Sequence, residues 1–425
     1  QLLNASAEYA VLRNYESLPY TMGRDIDLII NRKDFQLIKN QITVIFFQHG
    51  YNLFQYYKGN EMYSMVFVET KQPYNFISFD FLFSIYVKDT ILLTSKEVLK
   101  TKVFNGEIYH VRRDMEYLTK YIYNIILKTP YPEKYKHIEQ EAYALYGKEI
   151  NNVLNKLGLD QHCSLKKIKF RLYKQHSLRM LFAYLRYLIA TISNFIFPQG
   201  ISFSFTGPDG VGKTTIINQI TEILNKLYKS VPIFHFRPFI IGNLGEVAYS
   251  AGLKKEVDRD YSNPHRGEKT GIVNSLLRLL YYSLDYIIGY QIKVNIPIFK
   301  RNIVIFDRYY TDIICDSRRS RIYLNYKFLY GFGKLFIPSL DYNILLTAGT
   351  DTILARKREL DEEGIRLINK KINYLANKKG YKKILNERTP EEAVTEILNY
   401  ILEKQHNKNL RRLQRLRQLC IFFYR

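Results

Sequence analysis

Between an apolar run, Ile201–Thr206, and an amphipathic stretch, Thr214–Leu227, the chain reads Gly207-Pro-Asp-Gly-Val-Gly-Lys213-Thr214. The spacing is G-x-x-x-x-G-K-[ST]. It constrains the fold more than any other feature, because it calls for a strand, a tight glycine loop and a helix in that order. Gly207, Gly210 and Gly212 let the backbone bend so that successive N–H groups and the helix start face phosphate oxygens. Lys213 is expected on the β- and γ-phosphates of ATP and the Thr214 hydroxyl on Mg²⁺, with Asp209 and Thr215 among the loop contacts. The bland alternative, a glycine-rich turn carrying a surface lysine, leaves the flanking strand and helix unexplained.

Downstream, Asn302–Phe306 and Tyr342–Thr347 read as further buried strands separated by helical stretches. This βα alternation predicts an α/β fold, a parallel sheet with flanking helices. Ile303-Val-Ile-Phe306 delivers Asp307-Arg308-Tyr309 to the carboxyl edge, where ligands bind in doubly wound sheets. An aspartate there can hold Mg²⁺ through water or position an acceptor, and an adjacent arginine can neutralise charge on a migrating phosphoryl group. Near the end, Thr389-Pro390-Glu391-Glu392 offers a helix cap with proline at the first helical position, and Val394, Ile397, Leu398, Ile401 and Leu402 form one apolar face.

With these residues in view, the stretch from about 200 to 404 resembles thymidylate kinase, a nucleoside-monophosphate kinase of the phosphate-loop class. The resemblance rests on Asp209-Gly210 in the loop, the strand ending Asp307-Arg308-Tyr309, and an arginine-bearing lid at Arg356-Lys357-Arg358 through about Arg366. Ile372-Asn-Tyr374-Leu375-Ala376 and the helix start at Thr389 resemble the closing helices. The resemblance implies transfer of the ATP γ-phosphoryl with Mg²⁺, with Lys213, Asp307, Arg308, Arg356 and Arg358 as catalytic candidates and Arg237, Tyr309 and Arg318 on the substrate side. Departures fall on the acceptor side. His235-Phe-Arg237-Pro238 stands in place of an Arg-Glu-Pro-Gly-Gly type loop, and Leu284-Asp285-Tyr286 lacks the arginine expected after the aspartate. Asp312, Asp316, Arg318 and Arg319 are additions just past the strand. Weak thymidylate phosphorylation is therefore expected.

The N-terminal segment alternates short strand-like runs with helical patches, a small α+β domain. Asp25 and Asp27 occupy alternate positions at the opening of an apolar strand and so project to one side. Asp80 lies in a second such run, Ile77–Phe81, where burial disfavours an unpaired carboxylate. Three converging acids would suit Mg²⁺. The constellation resembles the nucleotidyltransferase fold of the DNA polymerase beta superfamily over roughly Tyr9 to Lys128, with Arg13-Asn-Tyr-Glu-Ser17 where the family carries its Gly-Ser signature. Proteins joining such a domain to a thymidylate-kinase-like half resemble those of surface-polysaccharide gene sets, which implies a sugar-linked acceptor as one option.

The predicted organisation is a nucleotidyltransferase-like domain over 1–160, a helical connector over 161–199, a kinase-like domain over 200–405 and a basic tail over 406–425. Length agrees, since 425 residues exceed the usual ~100–200 of one domain. A balance of 63 Lys+Arg against 40 Asp+Glu leaves +23, which favours polyanionic partners such as nucleotides. Nucleic acid is not expected, because the aromatic excess reads as compositional drift. Cys163, Cys315 and Cys420 are far apart, without a metal or disulfide pattern, and no leader pattern is read, so a reducing cytoplasmic setting is expected. The connector runs from Lys166, Lys167, Lys169, Arg171 and Lys174 into Met180–Phe197, which contains Arg186. It reads as a packed helix or as peripheral contact of 166–197 with an anionic membrane face. The sequence reads best as an ATP-dependent kinase, with a nucleotide-binding scaffold of little transfer activity as the rival.

Overall fold

The computed structural model describes residues 1–20, 25–71, 74–159, 164–228, 230–242 and 270–423, with side chains through Gln414. Gly23-Arg24, Cys163 and the side chains of Arg415, Arg417 and Cys420 lie outside the described residues. The chain divides into two compact units, one comprising 1–197 with 402–425 and the other 198–401.

The first unit is built on a mixed sheet of seven strands: β1 (Tyr9–Val11), β2 (Asp25–Ile30), β3 (Tyr51–Lys58), β4 (Met62–Glu69), β5 (Phe76–Leu82), β8 (Lys102–Phe104) and β9 (Tyr109–Val111), with a separate hairpin of β6 (Ser84–Val87) and β7 (Thr90–Thr94). Its order is β3-β4-β5-β2-β1-β9-β8. β2 lies parallel to β5 and antiparallel to β1. Both faces are covered, and β2 shows why: Leu28 and Ile30 join one core with Phe35 and Ile38, while Ile29 joins the other with Leu118 and Ile122, as period-two alternation requires. The connector helices Leu165–Gln175 and Ser177–Ile196 group with this unit, and Ile168, Leu172 and Met180 enter its second core.

The tail also belongs here. The helix Pro390–Phe423 is continuous, and from Leu402 onward its residues group with the first unit, where Leu413 is buried in the first core. Asn409 donates to the carbonyls of Leu53 and Phe54 at 3.3 and 2.8 Å, and the Leu53 N–H donates to His406 Nδ1 at 3.0 Å. The basic tail is thus in part core, because His406, Asn409 and Leu413 share one helix face that the arginines around them conceal in the sequence.

The second unit carries a five-stranded sheet of β10 (Ile201–Thr206), β11 (Ile233–His235), β12 (Ile303–Asp307), β13 (Tyr342–Thr347) and β14 (Tyr381–Leu385), ordered β11-β12-β10-β13-β14. Every pairing is parallel. β10 is buried at all six positions, as a central parallel strand covered on both faces should be. Phe203, Phe205 and Phe306 are almost wholly buried, and each side chain contributes about 1.5–3 kcal/mol by leaving water. Thr389 caps the last helix, its hydroxyl accepting from the Glu392 N–H at 3.3 Å. Register places Phe205 beside Asp307, so the carboxyl ends of β10 and β12 bring the glycine loop and Asp307-Arg308 together.

Candidate active site

The loop geometry leaves no room for side chains at its glycines. A Cβ at Gly207 would stand 2.5 Å from the Leu346 carbonyl, and Gly210 and Gly212 adopt φ of 85° and 91°. Behind Gly212, Asn386 donates from Nδ2 to the Val211 carbonyl at 2.8 Å and braces the turn. The loop opens the helix Lys213–Asn225, in whose exposed first turn Thr214 and Thr215 lie. Lys213 is buried and folds back, donating to the Gly207 and Pro208 carbonyls at 2.8 and 2.9 Å. Burial, with the nearby Arg308 charge adding to it, lowers its ammonium to about 8 despite Asp209 at 3.7 Å.

At the end of β12 the backbone turns sharply. Arg308 adopts φ 72°, a left-handed conformation costing a non-glycine residue roughly 1–2 kcal/mol, and its N–H is held by the Phe205 carbonyl at 2.9 Å. The turn sends the guanidinium inward to Asp312 at 2.9 Å and to Asp209. Arg319 reaches Asp209 from the other side. Asp209 is thus gripped by two arginines, with Lys213 beside it. Burial pulls the Arg308 guanidinium down, but Asp312, Asp209 and Asp307 outweigh it and hold it charged. Burial pushes the Asp312 carboxyl up.

Asp307 faces the same edge. Its Oδ2 lies 3.0 Å from His235 Nδ1, while its Oδ1 is buried with no hydrogen-bond partner among the described residues. Burial raises this carboxyl, yet His235, Arg308 and Lys213 together bring it below its ordinary value. An unpartnered buried carboxylate oxygen beside a phosphate-type loop fits an acceptor for metal-bound water or for a substrate hydroxyl.

The substrate-side candidates are distributed differently. Arg237 is buried, its guanidinium 4.7 Å from both the Phe239 and Tyr282 rings and 3.2 Å from Asp285. Asp285 also accepts the N–H groups of Phe239, Ile240 and Ile241, so the pair organises the loop after β11. Tyr286, where the resemblance places an arginine, is fully buried and donates to the Phe236 carbonyl. Tyr309 is core, donating to the Pro338 carbonyl at 2.8 Å. Arg318 points to Asp361, and it is Arg319 that approaches the loop. Arg356 donates to the carbonyl of Asn386 at 3.0 Å, and Arg358 is exposed. Sequence reasoning missed Asn386 and the anchoring role of Asp285. Asn386 carries no local signal, whereas a buried aspartate inside the apolar run 279–289 is one that pattern reading can find.

In the first unit, Asp27 and Asp80 are register partners on adjacent parallel strands. Asp27 is bound by Arg13 at 2.5 Å, and Asp25 is exposed at the strand start. Among the described residues, no group of three or more His, Cys, Asp or Glu is placed to hold a metal ion. The expected convergence of Asp25, Asp27 and Asp80 on a metal is not seen among the described residues: Asp25 is exposed at the start of β2, two positions before Asp27, and Asp27 is engaged by Arg13.

Parallel strands, flanking helices and a phosphate-type loop make the second unit an α/β fold of phosphate-loop type. No family model matches the chain. No curated protein matches it. Among solved structures, a thymidylate kinase from Ehrlichia chaffeensis is similar at 18% identity, covering 48% of this chain and 100% of its own, with a TM-score of 0.34. At that score the likeness carries no argument, and the class rests on the strand order and the loop.

Proposed function

We propose that the chain is an ATP-dependent phosphotransferase of the nucleoside-monophosphate-kinase type, acting on a nucleoside monophosphate or a sugar-linked acceptor. The observation that carries this reading is the convergence of Lys213, Arg308 and Arg319 on Asp209 at the glycine loop, with the unpartnered Asp307 oxygen beside them. Lys213 exchanges its two loop carbonyls for β- and γ-phosphate oxygens. Backbone N–H groups from Gly210 to Thr214 hold the remaining phosphate charge. Thr214 and, through water, Asp307 are the residues that would hold Mg²⁺, which neutralises charge as it develops on the transferred group. Arg308, already bonded to Asp209 and Asp312, acts as a positioning residue. Arg319, held on Asp209, positions the loop with it, and Arg356 and Arg358 are the lid cations that meet the phosphoryl group.

The acceptor is read from what replaces the missing arginine. Buried Tyr286 and the internal Arg237–Asp285 pair provide no phosphate clamp, which supports poor use of thymidylate. The first unit is read as a nucleotidyltransferase-like binding module without transfer chemistry of its own, supported by the engagement of Asp27 with Arg13.

The test is a transfer screen with the full chain and ATP labelled in its γ-phosphoryl, against nucleoside monophosphates, sugar phosphates and lipid-linked sugars. Transfer to one acceptor class is expected, falling at least ~100-fold in Lys213→Ala. Transfer unchanged in that variant would remove the loop from the reaction. Thymidylate turned over as readily as any other acceptor would overturn the substrate reading.

A further inference from the structure

The helix Ser177–Ile196 is turned the opposite way from an ordinary surface helix. Leu178, Leu181, Phe182, Leu185, Leu188, Ile189, Ile192, Phe195 and Ile196 recur at three- and four-residue spacing, a continuous apolar stripe. All nine are exposed, Leu178, Ile189 and Phe195 by 70, 67 and 68%. The protein-facing side is the small and polar one. Met180 and Ala183 are its only buried residues, Arg186 donates to the buried Glu61 at 2.9 and 2.6 Å, and Asn194 donates to the Lys58 carbonyl at 3.2 Å. Specific polar contacts therefore fix the helix with its apolar face outward. So large a contiguous apolar exposure marks an interaction surface.

The charge beside the stripe indicates what covers it. From Ser164 to Phe197 the chain holds Lys166, Lys167, Lys169, Arg171, Lys174, Arg179 and Arg186 and no aspartate or glutamate. Lys169 and Arg186 are paired with Asp89 and Glu61. Lys166, Lys167, Arg171 and Lys174 are exposed on the preceding helix, Leu165–Gln175, where Lys174 lies 4.8 Å from the ring of Phe170, itself 65% exposed. Uncompensated cations leading into an apolar helical face match the chemistry of an anionic bilayer, headgroups taking the cations and the acyl boundary the stripe. A partner protein or a second copy of this chain would cover the stripe but gives no reason for a run free of acids. No helix among the described residues is long and apolar enough to cross a membrane, so the helix would lie in the interface plane.

We propose that residues 164–197 form a docking surface for anionic lipid, laying the helix Ser177–Ile196 along the bilayer with its apolar face down. The proposal is independent of the kinase reading.

The test is co-sedimentation of the full chain with vesicles of phosphatidylcholine alone or mixed with phosphatidylglycerol. Binding should require phosphatidylglycerol. It should weaken ~10-fold or more in a Phe182→Gln, Ile189→Gln, Ile192→Gln variant and comparably in a Lys166→Glu, Lys167→Glu, Lys174→Glu variant. All six positions are exposed, and an unchanged thermal melt would establish that each variant folds. Wild-type chain left in the supernatant with anionic vesicles overturns the proposal, as does equal binding by the stripe variant. Sedimentation velocity without lipid adds a further outcome: a wild-type dimer that becomes monomeric in the stripe variant, with no vesicle binding, would assign the stripe to self-association instead.

Discussion

The two sheets treat their carboxylates in opposite ways. In the second unit Asp209 and Asp312 are drawn inward and share Arg308, with Arg319 and Lys213 adding positive charge around Asp209. In the first, Asp27 meets one arginine whose side chain is 40% exposed, and its in-register neighbour Asp80 brings no third acid into reach. Carboxylates on adjacent parallel strands therefore do not by themselves make a reactive site. The second unit differs because a strained turn after β12 forces a cation into a buried position beside a loop that only glycine can form.

The largest expected effect comes from removing the arginine on each side. Arg308→Met leaves Asp209 with one arginine fewer and Asp312 buried without its cation, which should cost about 3–5 kcal/mol of unfolding free energy. Arg13→Met breaks a pair whose arginine and aspartate side chains are 40% and 13% exposed, so the carboxylate can still reach water, and should cost less, about 1 kcal/mol. Urea denaturation followed by circular dichroism measures both. Equal losses would mean that the contrast between the two clusters is one of appearance only.

A second test sharpens the contrast through pH. Lys213 falls from its ordinary 10.5 to about 8 because it is buried. Between those values Lys213 is protonated less in the folded chain than in the unfolded one. Its contribution to stability without nucleotide should therefore rise as pH climbs from about 8 to 10.5, seen as the difference from a Lys213→Met chain. Nucleotide affinity should move the other way. Phosphates favour the protonated ammonium, so affinity is fully present below pH 8 and should fall by up to ~10-fold per unit above it. Calorimetric titration at pH 7 to 10 reads this directly. Lys213→Arg, whose guanidinium stays charged, should flatten the profile, and a profile as steep as that of wild type would detach the effect from Lys213.

What the sequence made legible was local. Strand, glycine loop and helix around Gly207–Thr214 are contiguous, and Ile303–Phe306 carries Asp307 on its own end, so pattern and chemistry could be read together. What it concealed was tertiary. Asn386 braces Val211 from 175 positions away, a pairing no spacing encodes. Arg319 rather than Arg318 reaches Asp209 because Asp316 caps the short helix Ser317–Ser320 and sets which of two adjacent arginines turns inward. The connector was legible as the run Met180–Phe197 with Arg186 inside it, but which side of the helix faces outward depends on Glu61, a residue with no mark in its own neighbourhood. The alternation of Asp25 and Asp27 pointed to one side of a strand and was silent on Arg13 as the partner of Asp27.

The smallest effect is expected where the first unit is asked to behave like the second. Asp25 is exposed at the start of β2, where its charge is open to solvent. Asp27→Asn loses the ionic part of one bond to Arg13, whose exposed side chain is readily solvated in its place. With the loop site disabled by Lys213→Ala, the full chain carrying Asp25→Asn and Asp27→Asn should differ from the Lys213→Ala chain by less than ~1 kcal/mol in stability. Any residual Mg²⁺-dependent nucleotide binding should change by about twofold or less, because Asp27 is already neutralised by Arg13 and Asp25 is exposed. Titration with Mg²⁺ and a nucleoside triphosphate, monitored by calorimetry, decides it. If the double substitution abolished a measurable metal-dependent binding event, Asp25 and Asp27 would be ligands despite their spacing from Asp80, the first unit would hold a second nucleotide site, and the contrast between the two sheets would reduce to one of metal demand.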